Sequence, residues 1–206
     1  MKIEFEPESH IYRIDGEVWE SVTQLLHAAG FGVEYNALAP DIKAAALRRG
    51  HFVHAATEQI DAGEFDEENL ERFPSVAGYI RAYMLFLERE NFEPTLIERI
   101  VAHPRMRYAG RIDRCGFVGA ARTLATIDLK TGAAPRWVGL QLKGYTEAIP
   151  YLEDYQFANR PHVPLVVELH ADGSYSLPSV MPVTAAQWAA TVIVARLRRQ
   201  FYGDRV

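Results

Sequence analysis

A single cysteine, Cys115, stands in the 206 residues, so the chain cannot close an internal disulfide, and one thiolate holds neither a zinc site nor an iron–sulfur cluster. Long apolar runs are lacking as well. No stretch approaches the roughly 20 consecutive apolar residues that span a bilayer, which leaves no expected membrane partner. The opening MKIEFEPE has no apolar core of the kind a signal peptide carries, so a cytoplasmic location is expected. There is no internal repeat, no low-complexity tract and no evident linker. Any metal would have to be held by carboxylates, histidines and carbonyls, a donor set that favours Mg²⁺ or Mn²⁺.

An excess of positive charge is also missing, since the formal net charge is −5. The average hides an asymmetry. From Glu58 to Glu93 ten acids face three arginines, a balance of −7, whereas from Arg99 to Lys143 nine bases face Asp113 and Asp128, a balance of +7. A locally basic zone can attract a polyanion even in an acidic chain.

With 49% hydrophobic residues the chain can bury one core, and its length fits a single domain, 1–206. HIYRIDGEVWES predicts two short strands around the turn pair Asp15-Gly16. Ser21 then caps a short helix ending at Gly30. Residues from Pro40 to Gly63 read as one long helix, or two broken at Gly50, with apolar Ile42, Ala46, Val53, Ala56 and Ile60. An acidic surface connection leads to a second amphipathic helix over SVAGYIRAYMLFLEREN. TLIERIVAH, YAGRIDRCGFV and TLATIDLKTG read as three successive strands. A helix runs from Trp137 up to or past Pro150, VPLVVELH is a strand, SYSLPSV another, and Thr184 introduces a C-terminal helix in which Trp188, Ala189, Val192 and Leu197 cover the sheet. This order predicts a mixed α/β domain.

The chemistry concentrates in GRIDR and TIDLKTG. Alternate residues of a strand share a face, so Asp128 and Lys130 point the same way. Carboxylates from adjacent strands, Asp113 and Asp128, would repel each other in a low-dielectric site unless a cation lay between them. A divalent metal would supply that cation, and Lys130 would offset charge on a phosphate or hold the attacking water. On spacing alone, Asp-x-Lys fits a surface ion pair equally well, worth at most about 1 kcal/mol.

RGHFVHAATE, IERIVAHPRMRYAGRIDR, ATIDLKTG and GLQLKGYTEA occur in the order and approximate spacing of the PD-(D/E)XK nuclease superfamily. Together they most resemble its RecB-type exonuclease branch, including phage-borne members, over roughly residues 45 to 150. The matching pairs are Gly50 with His54, Gly110 with Asp113, Asp128 with Lys130, and Gln141 with Tyr145. The resemblance implies a restriction-endonuclease-like core, with a central mixed sheet of about four to five strands flanked by helices. An N-terminal hairpin and helix (1–40) would precede the catalytic core (41–170), and a strand and helix (171–206) would follow it.

It further implies a metal-dependent DNA nuclease, most simply an exonuclease of recombination or repair with a possible partner protein. In that reading His54, Asp113, Asp128 and the main-chain carbonyl of Leu129 bind the metal and Lys130 is the catalytic lysine. Gln141 and Tyr145, on one helical face, contact the nucleic acid. Glu98 matches a recurring acid of the branch and would assist a second metal or pair with an arginine. Either His51 or His54 satisfies the ligand role, with the motif favouring His54, and zinc on His51, His54 and Glu58 is the rival to be weighed. Glu58 would sit behind the ligands, orienting His54 or Lys130. Arg111 and Arg114 flank Asp113 and would neutralise phosphates. The four cysteines that hold an iron–sulfur cluster in some relatives are absent, which excludes that cofactor. RNA remains open as a substrate, and a non-catalytic nucleic-acid-binding or assembly module that keeps the fold is the alternative.

Overall fold

The turn pair Asp15-Gly16, both at positive φ, closes a hairpin of antiparallel strands. A computed structural model describes residues 1–7, 9–32 and 39–203. In it, Ile3–Glu6 (β1), Ile11–Ile14 (β2) and Glu17–Ser21 (β3) pair in sequence. The first of these strands was not expected. Ser21 caps Val22–Ala29 (α1) through a reciprocal box with Gln24, and Gly30 ends the helix at φ 100°. Residues 33–38, inside the predicted N-terminal unit, and 204–206, at the end of the predicted C-terminal unit, lie outside the described residues.

Pro40–Ala62 (α2) runs unbroken through Gly50. Within the predicted surface connection a short helix forms over Glu68–Arg72 (α3), and Pro74–Arg89 (α4) follows. Glu93–His103 (β4), Tyr108–Val118 (β5) and Thr123–Lys130 (β6) make an antiparallel meander. Val138–Ala148 (α5) passes into one 3₁₀ turn, Ile149–Tyr151, where Pro150 removes a donor. Val163–Leu169 (β7) returns parallel to β6, and Tyr175–Ser176 (β8) adds a two-residue edge, shorter than expected. Ala185–Tyr202 (α6) starts at Thr184, which forms a second capping box with Gln187.

The chain is thus a mixed α/β protein, but its sheet is larger than the sequence suggested. Eight strands join in the order β1-β2-β3-β5-β6-β7-β8, with β4 on the other side of β5. The hairpin joins this sheet because β3 pairs in parallel with the start of β5. One face packs α1, α5 and α6 around Tyr108, Ile112, Cys115 and Trp188. The other packs α2 and α4 around Val53, Ile80, Tyr83, Phe86 and Ile127. Covered on both sides, β6 is buried from Leu124 to Leu129, the continuous pattern of a central strand. The expected α6 stripe needs one correction: Trp188 and Val192 are buried, but Leu197 is exposed, because the helix turns that flank outward. No helix among the described residues is long and apolar enough to cross a membrane.

Candidate active site

The site grows out of a gap in the sheet. On one edge β5 pairs with β3 only at Tyr108 and Ala109, and with β6 only from Arg114 to Val118. Between these contacts β5 has no partner strand on that edge among the described residues, while β6 continues alongside β7 as far as Lys130. Asp113 and Asp128 are the residues that would pair next where β5 and β6 part. Asp113 bridges the fork with its side chain, accepting a hydrogen bond from the Leu129 N–H at 2.8 Å.

On the other edge of β5 the ladder with β4 skips Asp113 and the residue facing it, Glu98. Glu98 has φ 44°, a left-handed conformation that a bulky residue in a strand adopts only when its surroundings impose it. From there its carboxylate meets His54 Nδ1 at 3.0 Å, and the same nitrogen lies 3.8 Å from Asp113 Oδ1. His54, Glu98 and Asp113 offer ligand atoms that all fall within 4.8 Å of one another. Cis ligands on an octahedron with bonds of about 2.1 Å stand about 3 Å apart; the 3.0 Å contact meets that spacing and the 3.8 Å one exceeds it, so a small hard cation would have to draw the trio closer.

Asp128 stands beside this trio. Its buried carboxylate is held by Lys130 Nζ at 2.9 and 2.7 Å, as the alternation of the strand requires, and it acts electrostatically on Asp113. Asp128 is therefore buried beside the site with half-buried Lys130 over it, and the pair is no exposed surface ion pair. Two carboxylate oxygens, Glu98 Oε2 and Asp128 Oδ2, are buried without a hydrogen bond. Each of these oxygens has a cationic nitrogen beside it, Arg111 Nε at 3.0 Å and Lys130 Nζ at 2.7 Å, without hydrogen-bond geometry, and with the imidazole they make a donor set suited to a divalent cation.

The electrostatics follow from burial. Asp113 is pushed up to about 6 by desolvation, with Asp128 and Glu98 adding to the rise and His54 opposing it. Desolvation opposes the charged form of His54, but Asp113 and Glu98 outweigh it and raise its pKa. Burial likewise works against Lys130, and Asp128 and Asp113 overcome it.

Behind the site lies a second ionic cluster. Arg114 is fully buried, so it does not reach a phosphate, contrary to the sequence expectation. Its guanidinium donates to Asp61, to Glu98 at 2.9 Å, to Thr57 at 3.0 Å and to the Asp113 carbonyl at 2.6 Å. Tyr83 donates to Asp61 at 2.8 Å. Arg114 therefore fixes both Glu98 and the backbone of Asp113. His54, Thr57 and Asp61 form one stripe of α2, beside buried Val53 and Ala56. Sequence spacing places His51, His54 and Glu58 on one face, whereas the structure turns the overlapping stripe of His54, Thr57 and Asp61 inward, with Tyr83 against it; Thr57, Asp61 and Tyr83 carry no motif in the sequence. The signal was available, because Val53, Ala56 and Ile60 already marked the inward face. Glu58 stays exposed; the acid that meets His54 is Glu98.

A cavity of about 400 Å³ opens over the trio and is also lined by His51, Glu58, Gly110, Arg111 and Tyr145. Asp128 and Lys130 lie outside this lining. Gly110 is needed for Tyr145, since a Cβ there would stand 2.6 Å from the tyrosine ring. Gln141 Nε2 donates to the Tyr145 hydroxyl at 3.1 Å, on the helical face that their spacing predicts. The phenol, buried near Asp113, is held well above its usual pKa.

The basic segment is largely neutralised by its surroundings. Arg99 pairs with Asp154, Arg107 with Glu17, Arg122 with Glu93, and Lys143 with Glu147. The run of positive charge in the sequence is thus no continuous basic surface. Compared with models of known protein families the chain matches none, and no curated protein matches it significantly.

Proposed function

We propose that the chain is a divalent-metal-dependent DNA nuclease, with exonuclease action in recombination or repair as its expected form. The observation that carries this reading is the meeting of His54, Glu98 and Asp113 within 4.8 Å at a sheet fork that also holds Asp128 and Lys130. His54, Glu98 and Asp113 would hold Mg²⁺ or Mn²⁺, with Asp128 and the Leu129 carbonyl beside them. Once bound, such a cation supplies Lewis-acid polarisation of a phosphoryl oxygen and eases proton loss from water.

The chain's own residues account for the rest. Lys130 is kept charged by Asp128 and Asp113, so its ammonium offsets negative charge building on the phosphate. Gln141 and Tyr145, linked to each other, present hydrogen-bonding groups next to the scissile position. Arg114 holds the Asp113 backbone and Glu98 in place, which keeps the acids aligned as charge shifts.

A second reading has its own support. Glu98 is already met by His54, Arg111 and Arg114, and Asp128 by Lys130, and such pairing would also serve a non-catalytic nucleic-acid-binding module. A digestion panel separates the two: linear, circular, single- and double-stranded DNA, and RNA, each with Mg²⁺, Mn²⁺ or EDTA. Cleavage that requires metal and is lost in Asp113→Ala and Lys130→Ala supports the nuclease. Binding without cleavage under every condition would leave the module.

A further inference from the structure

The N-terminal hairpin does more than extend the sheet: it walls the cavity over the acidic trio with rings. Phe5 and Tyr12 stack at 4.7 Å between centroids and 30° between planes. His10 stands nearly perpendicular to both, 5.3 Å from Phe5 and 5.5 Å from Tyr12. All three line the cavity that contains His54, Glu98 and Asp113. Tyr12 is buried and holds the hairpin to the sheet, whereas Phe5 is half-buried and His10 exposed. His10, in the turn between β1 and β2, keeps its ring at the cavity rim with its backbone at φ 53°, a conformation that histidine adopts more readily than most residues.

We propose that the hairpin forms a nucleobase-stacking subsite on Phe5 and His10, which receives the base adjoining a phosphate that lies against the cation site of His54, Glu98 and Asp113. This rests on the nuclease reading. The wall suits a base better than a phosphate because it is built of flat rings, and every nucleobase offers a π-face to such a surface. Partial desolvation at the cavity rim, with Arg111 and His51 nearby, lowers the pKa of His10, which favours the neutral imidazole at neutral pH. His51 lines the same cavity from α2, across from the hairpin. A second cavity of about 520 Å³ shares His10, Ser21 and Thr23 with the first, so the strand has room to continue past His10. A flipped or frayed nucleotide therefore fits the site better than an intact base pair, and single-stranded ends are the preferred substrate class.

The test uses the full chain with single-stranded oligonucleotides in which one abasic residue is walked along the strand, cleaved in Mn²⁺. One abasic position is expected to raise KM about five- to hundredfold, the range for one base–aromatic stack, with kcat nearly unchanged. His10→Ala should raise KM on intact DNA by a similar factor and leave no further penalty for that abasic position, whereas His10→Phe should restore both. Additive effects, or none from either change in a chain that still cleaves, would overturn the subsite and leave the nuclease reading standing. If no metal supports cleavage, that reading fails, and the subsite is judged by binding in Ca²⁺. Quenching of a 2-aminopurine base by wild type but not by His10→Ala would uphold it, and equal or absent quenching would overturn it.

Discussion

The Leu129 N–H donates to Asp113 Oδ2 at 2.8 Å, one residue past Arg114 on β5 and two past Ile127 on β6, the last pair of their ladder. A side chain thus replaces a backbone acceptor at the point where the strands part, and it leaves Asp113 Oδ1 aimed at His54. The fork is held open by the residue that the site needs there.

Lys130→Ala is expected to leave the circular dichroism spectrum unchanged and to lower kcat for DNA cleavage by about 10²–10³, the usual cost of one preorganised charge at the reacting group. Single-turnover cleavage measures it. A kcat within a factor of about three of wild type would remove Lys130 from the chemistry.

Binding of Mn²⁺ should weaken as pH falls through about 6. Asp113 is raised to about 6 by burial, so it binds a proton below that pH, and the proton competes with metal. His54, also raised, acts in the same direction. In the metal-free protein the sign reverses for stability. The native state holds the Asp113 proton more tightly than the unfolded chain does, so this group favours folding at low pH, and its contribution is lost as pH rises through about 6. Calorimetric Mn²⁺ titrations from pH 5 to pH 8 test the first statement; affinity independent of pH would contradict it.

Arg114→Ala should be strongly destabilising, by about 3–5 kcal/mol, because it strands buried Asp61 without its cation and takes one of three positive partners from Glu98. Urea denaturation of the metal-free protein gives the value. A loss below about 1 kcal/mol would mean that water reaches this cluster.

The two motif glycines should separate cleanly. A Cβ at Gly110 meets the Tyr145 ring at 2.6 Å, whereas one at Gly50 meets nothing within 4 Å. Gly110→Ala is therefore expected to cost about 1–3 kcal/mol through overpacking. Gly50→Ala, in the middle of α2, should stabilise by up to about 1 kcal/mol. Thermal unfolding of the two variants distinguishes them by the sign of the shift.

Much of the local structure could be read directly. Ser21 and Thr184 announce their helices by cap chemistry, Asp15-Gly16 its turn, and the alternation of Asp128 with Lys130 puts both on one face, where they meet at 2.9 Å. These follow from interactions within a few residues, which the chain carries wherever it folds. Glu98 shows the limit. Its place opposite Asp113 depends on the β4–β5 register and on a positive φ that no local pattern encodes.

What the sequence determined by itself is the set of elements and the residue types able to hold a cation. The tertiary structure decided which acids meet. It brought Glu98 to His54, set Asp128 beside Asp113, buried Arg114 behind them, and paired away most of the basic segment. The reason is that helix and strand periodicities fix only which residues share a face. Which of two overlapping stripes of α2 turns inward, and where β5 and β6 part, depends on contacts between segments far apart in the chain. The hairpin rings are the plainest instance: Phe5 and His10 line the cavity shared with Asp113 because β3 joins the sheet beside β5.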